Sequence, residues 1–465
     1  MNTNTKQTAI QHVVTHTAPH LDEVASLRLF QKGYGERLFP GSTEAASRVL
    51  FTEGMQQKDD TFYDSIKMMP IGCVPGTRFN DKDKDGRRIP AVCTTTKVME
   101  YLNLNEDKVL KRIADDVLRC DTEPGVKNTE LAELIKMGHR RVKDDTIMLK
   151  WATALLDAVH SQITFGFAPI GRRTLQTEFD RLLDAGRFPD DRVRGKLANM
   201  VKESMERKDE SIMELSFIAD CLFRTSNPDA GDLIQFALDH IYEDQLMFWQ
   251  AVEECRQSND RHVIRSFDGE RPRDLRVLFV KSDNQNIIRA SRHREAGGAG
   301  VTIIRNSKGN VTVFTDRRRS DVCLDEFVAM VRWLEWPKDS SGGPTTPMPI
   351  WKEFQVDGVM EPVSQWYYHK RAGQLLNGSL SFPNKPASQM ASQAFIDVAR
   401  AASNPREVNE WKRVRGVSRC EDSAKPQPKG LTKIELILEV NDPVPAVSVS
   451  EVPTQSAISV SAAKE

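Results

Sequence analysis

Between Gln11 and Phe30 the sequence spells out a strand, a turn and a helix. Val13 and Val14 form an apolar pair, Pro19 interrupts it, and the acidic pair Asp22-Glu23 opens the helical spacing of Val24, Ala25, Leu27 and Phe30. A buried strand feeding directly into a helix confines the chain to α/β architectures. Three of the nine histidines, His12, His16 and His20, fall in this unit. His16, His20 and Asp22 are therefore expected at the carboxyl end of the strand, where open α/β sheets hold their ligands. Neutral imidazoles beside carboxylates suit a borderline divalent cation such as Mn²⁺ or Zn²⁺. A plainer reading puts His12 in the strand and leaves Asp22 as a helix cap. Glu23 can act as a base beside such an ion or simply favour the positive end of the helix.

The 465 residues suggest two or three domains, and 39% hydrophobic content is enough for real cores. No apolar run approaches the ~18 residues that a membrane span needs, and the N-terminus lacks the apolar stretch of a secretory signal. Seven scattered cysteines show no C-x-x-C spacing. That pattern fits reduced thiols in a cytoplasmic protein and argues against a disulfide framework or a cysteine-type zinc site. With 65 basic and 66 acidic residues, any phosphate binding must come from local basic patches.

The expected fold class is α/β. A parallel-sheet unit with a metal-binding character spans 8–125, and a helical connector spans 126–262. A smaller α/β unit covers 263–415, and a Pro-, Ser- and Val-rich tail, 421–465, is expected to be disordered. In the first unit a strand is expected within Ile66–Val74, and helices over Ala91–Leu104 and Glu106–Leu118. In the connector, Ile147, Leu149, Ala152, Leu155, Leu156 and Val159 share one helical face. The second α/β unit opens with a strand at Leu275. A helix carrying Arg289, Arg292, His293 and Arg294 follows, then a hairpin of Val301–Arg305 and Val311–Thr315 around Ser307-Lys308-Gly309-Asn310.

The segment Thr15-His16-Thr17-Ala18-Pro19-His20-Leu21-Asp22-Glu23 resembles the first motif of the DHH phosphoesterase superfamily, T-H-x-x-P-D-x-D, with His20 where the first Asp usually stands. Within that superfamily it looks most like the melanocyte-proliferating-gene family of metal-dependent exonucleases. The resemblance covers roughly the first 123 residues. It aligns Asn80-Asp81-Lys82 with the D-H-H signature, sets Gly72 near the place of a strand Asp, and makes Asp121 the match for a further metal-binding Asp. It implies a divalent-metal-dependent phosphoesterase acting on nucleotides or short single-stranded oligonucleotides, with Mn²⁺ as cofactor and a homodimer as a further expectation. His16, His20, Asp22, Asp81 and Asp121 would be metal ligands. Lys82, a fixed cation in place of a histidine, would occupy a second ion's position and stabilise phosphate charge. The amide at Asn80 leaves a competing reading: a lapsed relative that binds a nucleotide or a protein partner without turnover.

In the second α/β unit, Arg317 and Arg319, with Arg292, either grip substrate phosphates or form a solvated turn. Trp366-Tyr367-Tyr368-His369 is either a stacking platform for bases or core packing. Asn377-Gly378-Ser379 reads as a turn. No G-x-x-x-x-G-K-[ST] loop is present, which argues against an ATPase.

Overall fold

A computed structural model of the chain describes residues 9–415 and 417, except 54, 85, 168–173, 269–270, 317–322, 341, 343–344, 346 and 379–384. The expected tail thus lies outside the described residues. The architecture is mixed α/β, with a small parallel sheet, a helical layer and a larger mixed sheet.

The first sheet holds β1 (His12–His16), β2 (Leu50–Thr52) and β3 (Met68–Pro70), all parallel, in the order β2-β1-β3. Around it pack α1 (Leu21–Gln31), α2 (Ser42–Ser47), α3 (Asp60–Ser65), α4 (Thr94–Tyr101) and α5 (Lys108–Thr122). As the central strand, β1 buries Val13, Val14 and Thr15 on both faces, and the Thr15 hydroxyl donates to Ile71 O at 2.8 Å. α1 is buried from Leu21 to Phe30, polar residues included, so it is an internal helix.

β3 is shorter than the sequence suggests. Lys67 takes a left-handed φ of 57° and Gly72 one of 71°, turning the chain on either side. Similarly, left-handed Ala91 and Asn103 confine α4 to the middle of its expected span. α5 starts later than expected because the Asp107 carboxylate caps Val109 N and Leu110 N. It runs on to Thr122, which puts Asp121 in its last turn.

The helical layer comprises α6 (Leu131–Arg141), α7 (Asp145–Phe165), α8 (Leu175–Asp184), α9 (Asp191–Glu206), α10 (Leu215–Arg224) and α11 (Ala230–Gln257). The expected face of α7 is buried from Leu149 to Val159, but Ile147 is half exposed in the first turn. One continuous apolar core runs from Ile10 to Tyr242, so the small sheet and these helices share an interior.

The second sheet has the order β4-β5-β6-β7-β9-β8, with β4 (Arg261–Asp268), β5 (Arg271–Lys281), β6 (Val301–Arg305), β7 (Val311–Thr315), β8 (Trp366–His369) and β9 (Gln374–Asn377). Only β5 and β6 pair in parallel. β5 alternates its faces: Leu275, Val277 and Phe279 join a core with α13 (Asp325–Leu334), α14 (Ser392–Ala402) and α15 (Pro405–Val414). Leu278 and Val280 instead meet Ala251, Val252 and Cys255 of α11 and the short α12 (Ile287–Ala290).

The hairpin of β6 and β7 forms as expected, with Val301 opposite Thr315. The strand expected from Leu275 starts at Arg271 and is preceded by β4, which the sequence reading places outside any strand. The expected helix carrying four basic residues is only α12, and Arg292, His293 and Arg294 fall beyond it. Trp366 and Tyr368 are buried in β8 while Tyr367 is exposed, so the aromatic run is chiefly core packing. Asn377 ends β9 and Gly378 takes a left-handed φ of 81°, while Ser379 lies outside the described residues. No helix among the described residues is long and apolar enough to cross a membrane.

Candidate metal centre

The parallel order β2-β1-β3 brings His16, Thr52 and Pro70 to the same edge, and the segment after His16 closes over it. Ala18 takes a left-handed φ of 53° there, a strained choice for a residue with a Cβ. The helical layer holds this turn in place. His139 Nε2 meets Pro19 O at 3.1 Å, His139 Nδ1 meets Asp145 Oδ1 at 3.1 Å, and the Ala18 N–H donates to Asp145. A lone helical histidine such as His139 carries no local signal of this bracing role.

The turn draws His16, His20 and Glu23 together, each offering a ligand atom within 4.8 Å of the others. His16 Nε2 lies 3.3 Å from Glu23 Oε1, and Glu23 Oε2 accepts the His20 N–H at 2.8 Å. Glu23 therefore caps α1 and faces the imidazoles at once. Asp22, expected among the ligands, is 3% exposed; its Oδ2 is 3.3 Å from the Thr94 N–H and its carbonyl accepts from the Ser26 and Thr95 hydroxyls. No hydrogen-bond donor among the described residues reaches Asp22 Oδ1.

These groups border a cavity of about 310 Å³ that is also lined by Asp81, Asp121, Lys82, Arg88 and Lys136. Every residue expected as a ligand, and the expected lysine, thus face one space. Asp81 and Asp121 are held by Arg88, whose Nε is 3.5 Å from Asp81 Oδ2 and whose Nη2 pairs with Asp121. Arg88, like Lys136, is a lining group that sequence reasoning missed. Its only local signal is the hairpin-like turn that pairs Lys82 with Arg88. Asn80 is buried; its amide oxygen accepts the Lys82 N–H at 2.8 Å, so it shapes the turn and does not line the cavity.

Burial opposes charge on His16, but the hydrogen bond and charge of Glu23 outweigh it and raise the imidazole to about 9. Burial, with Asp22 beside it, pushes Glu23 up to about 7. Burial and the neighbouring His16 lower His20 to about 4, keeping its nitrogen lone pair open at neutral pH. Gly72 lines the cavity, and a Cβ added to it would come within 2.5 Å of the Glu23 side chain. The Glu23 carboxylate thus occupies the room that a side chain at position 72 would need.

Arg292 does not line this cavity. Arg292 Nη2 donates to Thr315 O at 2.8 Å, while Arg317 and Arg319 lie outside the described residues. No family model matches the sequence, and no curated protein matches it. A crystal structure of an uncharacterized protein from Helicobacter pylori G27 is similar at 11% identity and a TM-score of 0.21, over 69% of this chain and 89% of that one, which is too slight a likeness to carry an argument.

Proposed function

We propose that this chain is a divalent-metal-dependent phosphoesterase of the DHH type, acting on a nucleotide or a short oligonucleotide in the cytoplasm. The observation that carries the reading is the convergence of imidazoles, carboxylates and cations on one cavity. His16, His20, Asp22 and Glu23 border it together with Lys82, Arg88 and Lys136. Two imidazoles with carboxylates suit Mn²⁺ or Zn²⁺, and the orphaned Asp22 Oδ1 is a buried acceptor in want of a cation. A bound ion would supply a Lewis acid and activate water.

The protein's own groups do the rest. His20, neutral at working pH, offers a lone pair. Glu23 holds His16 in orientation through their 3.3 Å contact. Lys82 and Lys136 supply positive charge to attract and place an anionic phosphate as point cations. The free cysteines among the described residues support a reducing compartment.

Asn80, an amide within the turn, favours a second reading, a nucleotide-binding relative without turnover. Melting curves with and without millimolar Mn²⁺, run beside an assay on dinucleotides and short oligonucleotides, separate the two. We expect a metal-induced rise in Tm that His20→Ala abolishes, and metal-dependent product release. A melting shift with no product selects the second reading; no shift with Mn²⁺, Zn²⁺ or Mg²⁺ removes both the metal and the phosphoesterase.

A further inference from the structure

The cavity has two halves. In one, His16, His20 and Glu23 converge, and Asp22 Oδ1 lies buried without a donor. In the other, Asp81 on the loop after β3 and Asp121 in the last turn of α5 share one guanidinium. Asp81 is 7% exposed. Both carboxylates face the one cavity, and both pair with the same guanidinium. The backbone bridge between Lys82 and Arg88 sets the arginine at the mouth, and its half-exposed side chain reaches inward from there.

We propose that Arg88 is a resident cation, standing where a second divalent ion would otherwise bind, so that this centre takes up one ion. The inference rests on the metal reading above and adds a stoichiometry to it. A planar guanidinium joins the two carboxylates through Nε and Nη2. It offsets one of their two negative charges and keeps a fixed fork of N–H donors beside the ion, suited to phosphate oxygens. It brings one positive charge where a metal would bring two, and no Lewis acidity. The role that sequence analysis assigns to Lys82 as stand-in for a second ion thus passes to Arg88, because Arg88 is the group that pairs with both carboxylates.

The test counts Mn²⁺ ions per chain, by elemental analysis after desalting and by electron paramagnetic resonance titration of the purified full chain. Wild type should bind one ion, Arg88→Met two, and Arg88→Lys one. Adding Asp121→Asn to Arg88→Met should bring the count back to one. If Arg88→Met does not fold, as judged by circular dichroism, Asp121→Asn alone decides. Since Asp121 serves the arginine, its loss should leave wild-type Mn²⁺ affinity within about threefold, whereas an outer partner or ligand of the ion would cost about tenfold or more. Two ions in wild type, or one in folded Arg88→Met, overturns the role of Arg88 and leaves the metal centre standing. No ion in any variant instead removes the metal centre itself.

Discussion

Asn377, at the end of β9, and Asp22, beside β1, are both almost wholly buried, yet they sit in opposite surroundings. The Asn377 amide oxygen accepts from Ser388 N at 3.0 Å and Val311 N at 3.4 Å, and its nitrogen donates to Pro386 O at 2.8 Å and Gln365 O at 3.2 Å. Nearby, Nη1 and Nη2 of the buried Arg332 donate to the carbonyls of Phe354, Val356 and Gly358. Asp22, in contrast, keeps one oxygen without a donor, and its neighbour Glu23 is pushed upward by burial. In the six-stranded sheet, the Asn377 amide ties loops to strands. Beside the three-stranded sheet, Asp22 leaves one oxygen in want of a partner at the edge of a cavity, and unmet polarity placed there is what a ligand can satisfy.

The contrast can be broken by mutation. Asn377→Leu keeps the volume but orphans several buried donors and acceptors, each worth about 1–3 kcal/mol. The variant should lose about 3 kcal/mol or more in urea denaturation. A loss under about 1 kcal/mol would mean that the amide adds nothing to its loops.

Histidines offer an intermediate case. His240, packed against Phe236 and Trp151 and 3.1 Å from Arg141 Nη1, is lowered to about 3 by burial first and Arg141 second. Its folded pKa lies below its unfolded value, so its neutral form contributes stability above pH 6.5 that is lost as pH falls from there toward about 3. From pH 6.5 to pH 5 the loss should reach about 2 kcal/mol at 1.36 kcal/mol per unit. His240→Gln should lack this component of the slope. Equal slopes in the two proteins would place the acid sensitivity elsewhere.

The smallest effect belongs to Asp22→Asn. Removing a buried charge with an unmet oxygen should change metal-free stability by less than about 1 kcal/mol, in either direction. A cost of about 3 kcal/mol would show that Asp22 is a structural carboxylate, and the difference between the two sheets would collapse.

How far the sequence reveals each region follows from the reach of the interactions. The unit from β1 into α1 is legible because its signals are adjacent: Val13-Val14, then Pro19, then Asp22-Glu23. Part of the cavity lining was legible residue by residue, since His16, His20, Asp22, Asp81, Lys82 and Asp121 all face it, while Lys136 gave no signal. Which carboxylate meets the imidazoles was not. Glu23 reads as a first-turn acid, and only the room beside Gly72 lets it turn toward His16. Arg88 was hidden because its partners come from two elements distant in sequence. β4 escaped notice because its outward positions, Arg261, Val263, Arg265 and Phe267, mix charge with apolar groups and blur the alternation.

The brace under the Ala18 turn has a consequence for assembly. His16, His20 and Glu23 are close neighbours in the chain, but the groups that hold their turn, His139 and Asp145, come more than a hundred residues later. A nascent chain therefore carries the three ligand side chains long before it carries what keeps them in place. Until α6 and α7 dock, the left-handed Ala18 has no support from Asp145, and the segment pays for its ordering at the moment of ion capture. A fragment ending near residue 125 would contain all the ligands and bind an ion poorly. Selective ion uptake would then be a late event in folding, reserved for a chain whose helical layer is already in position.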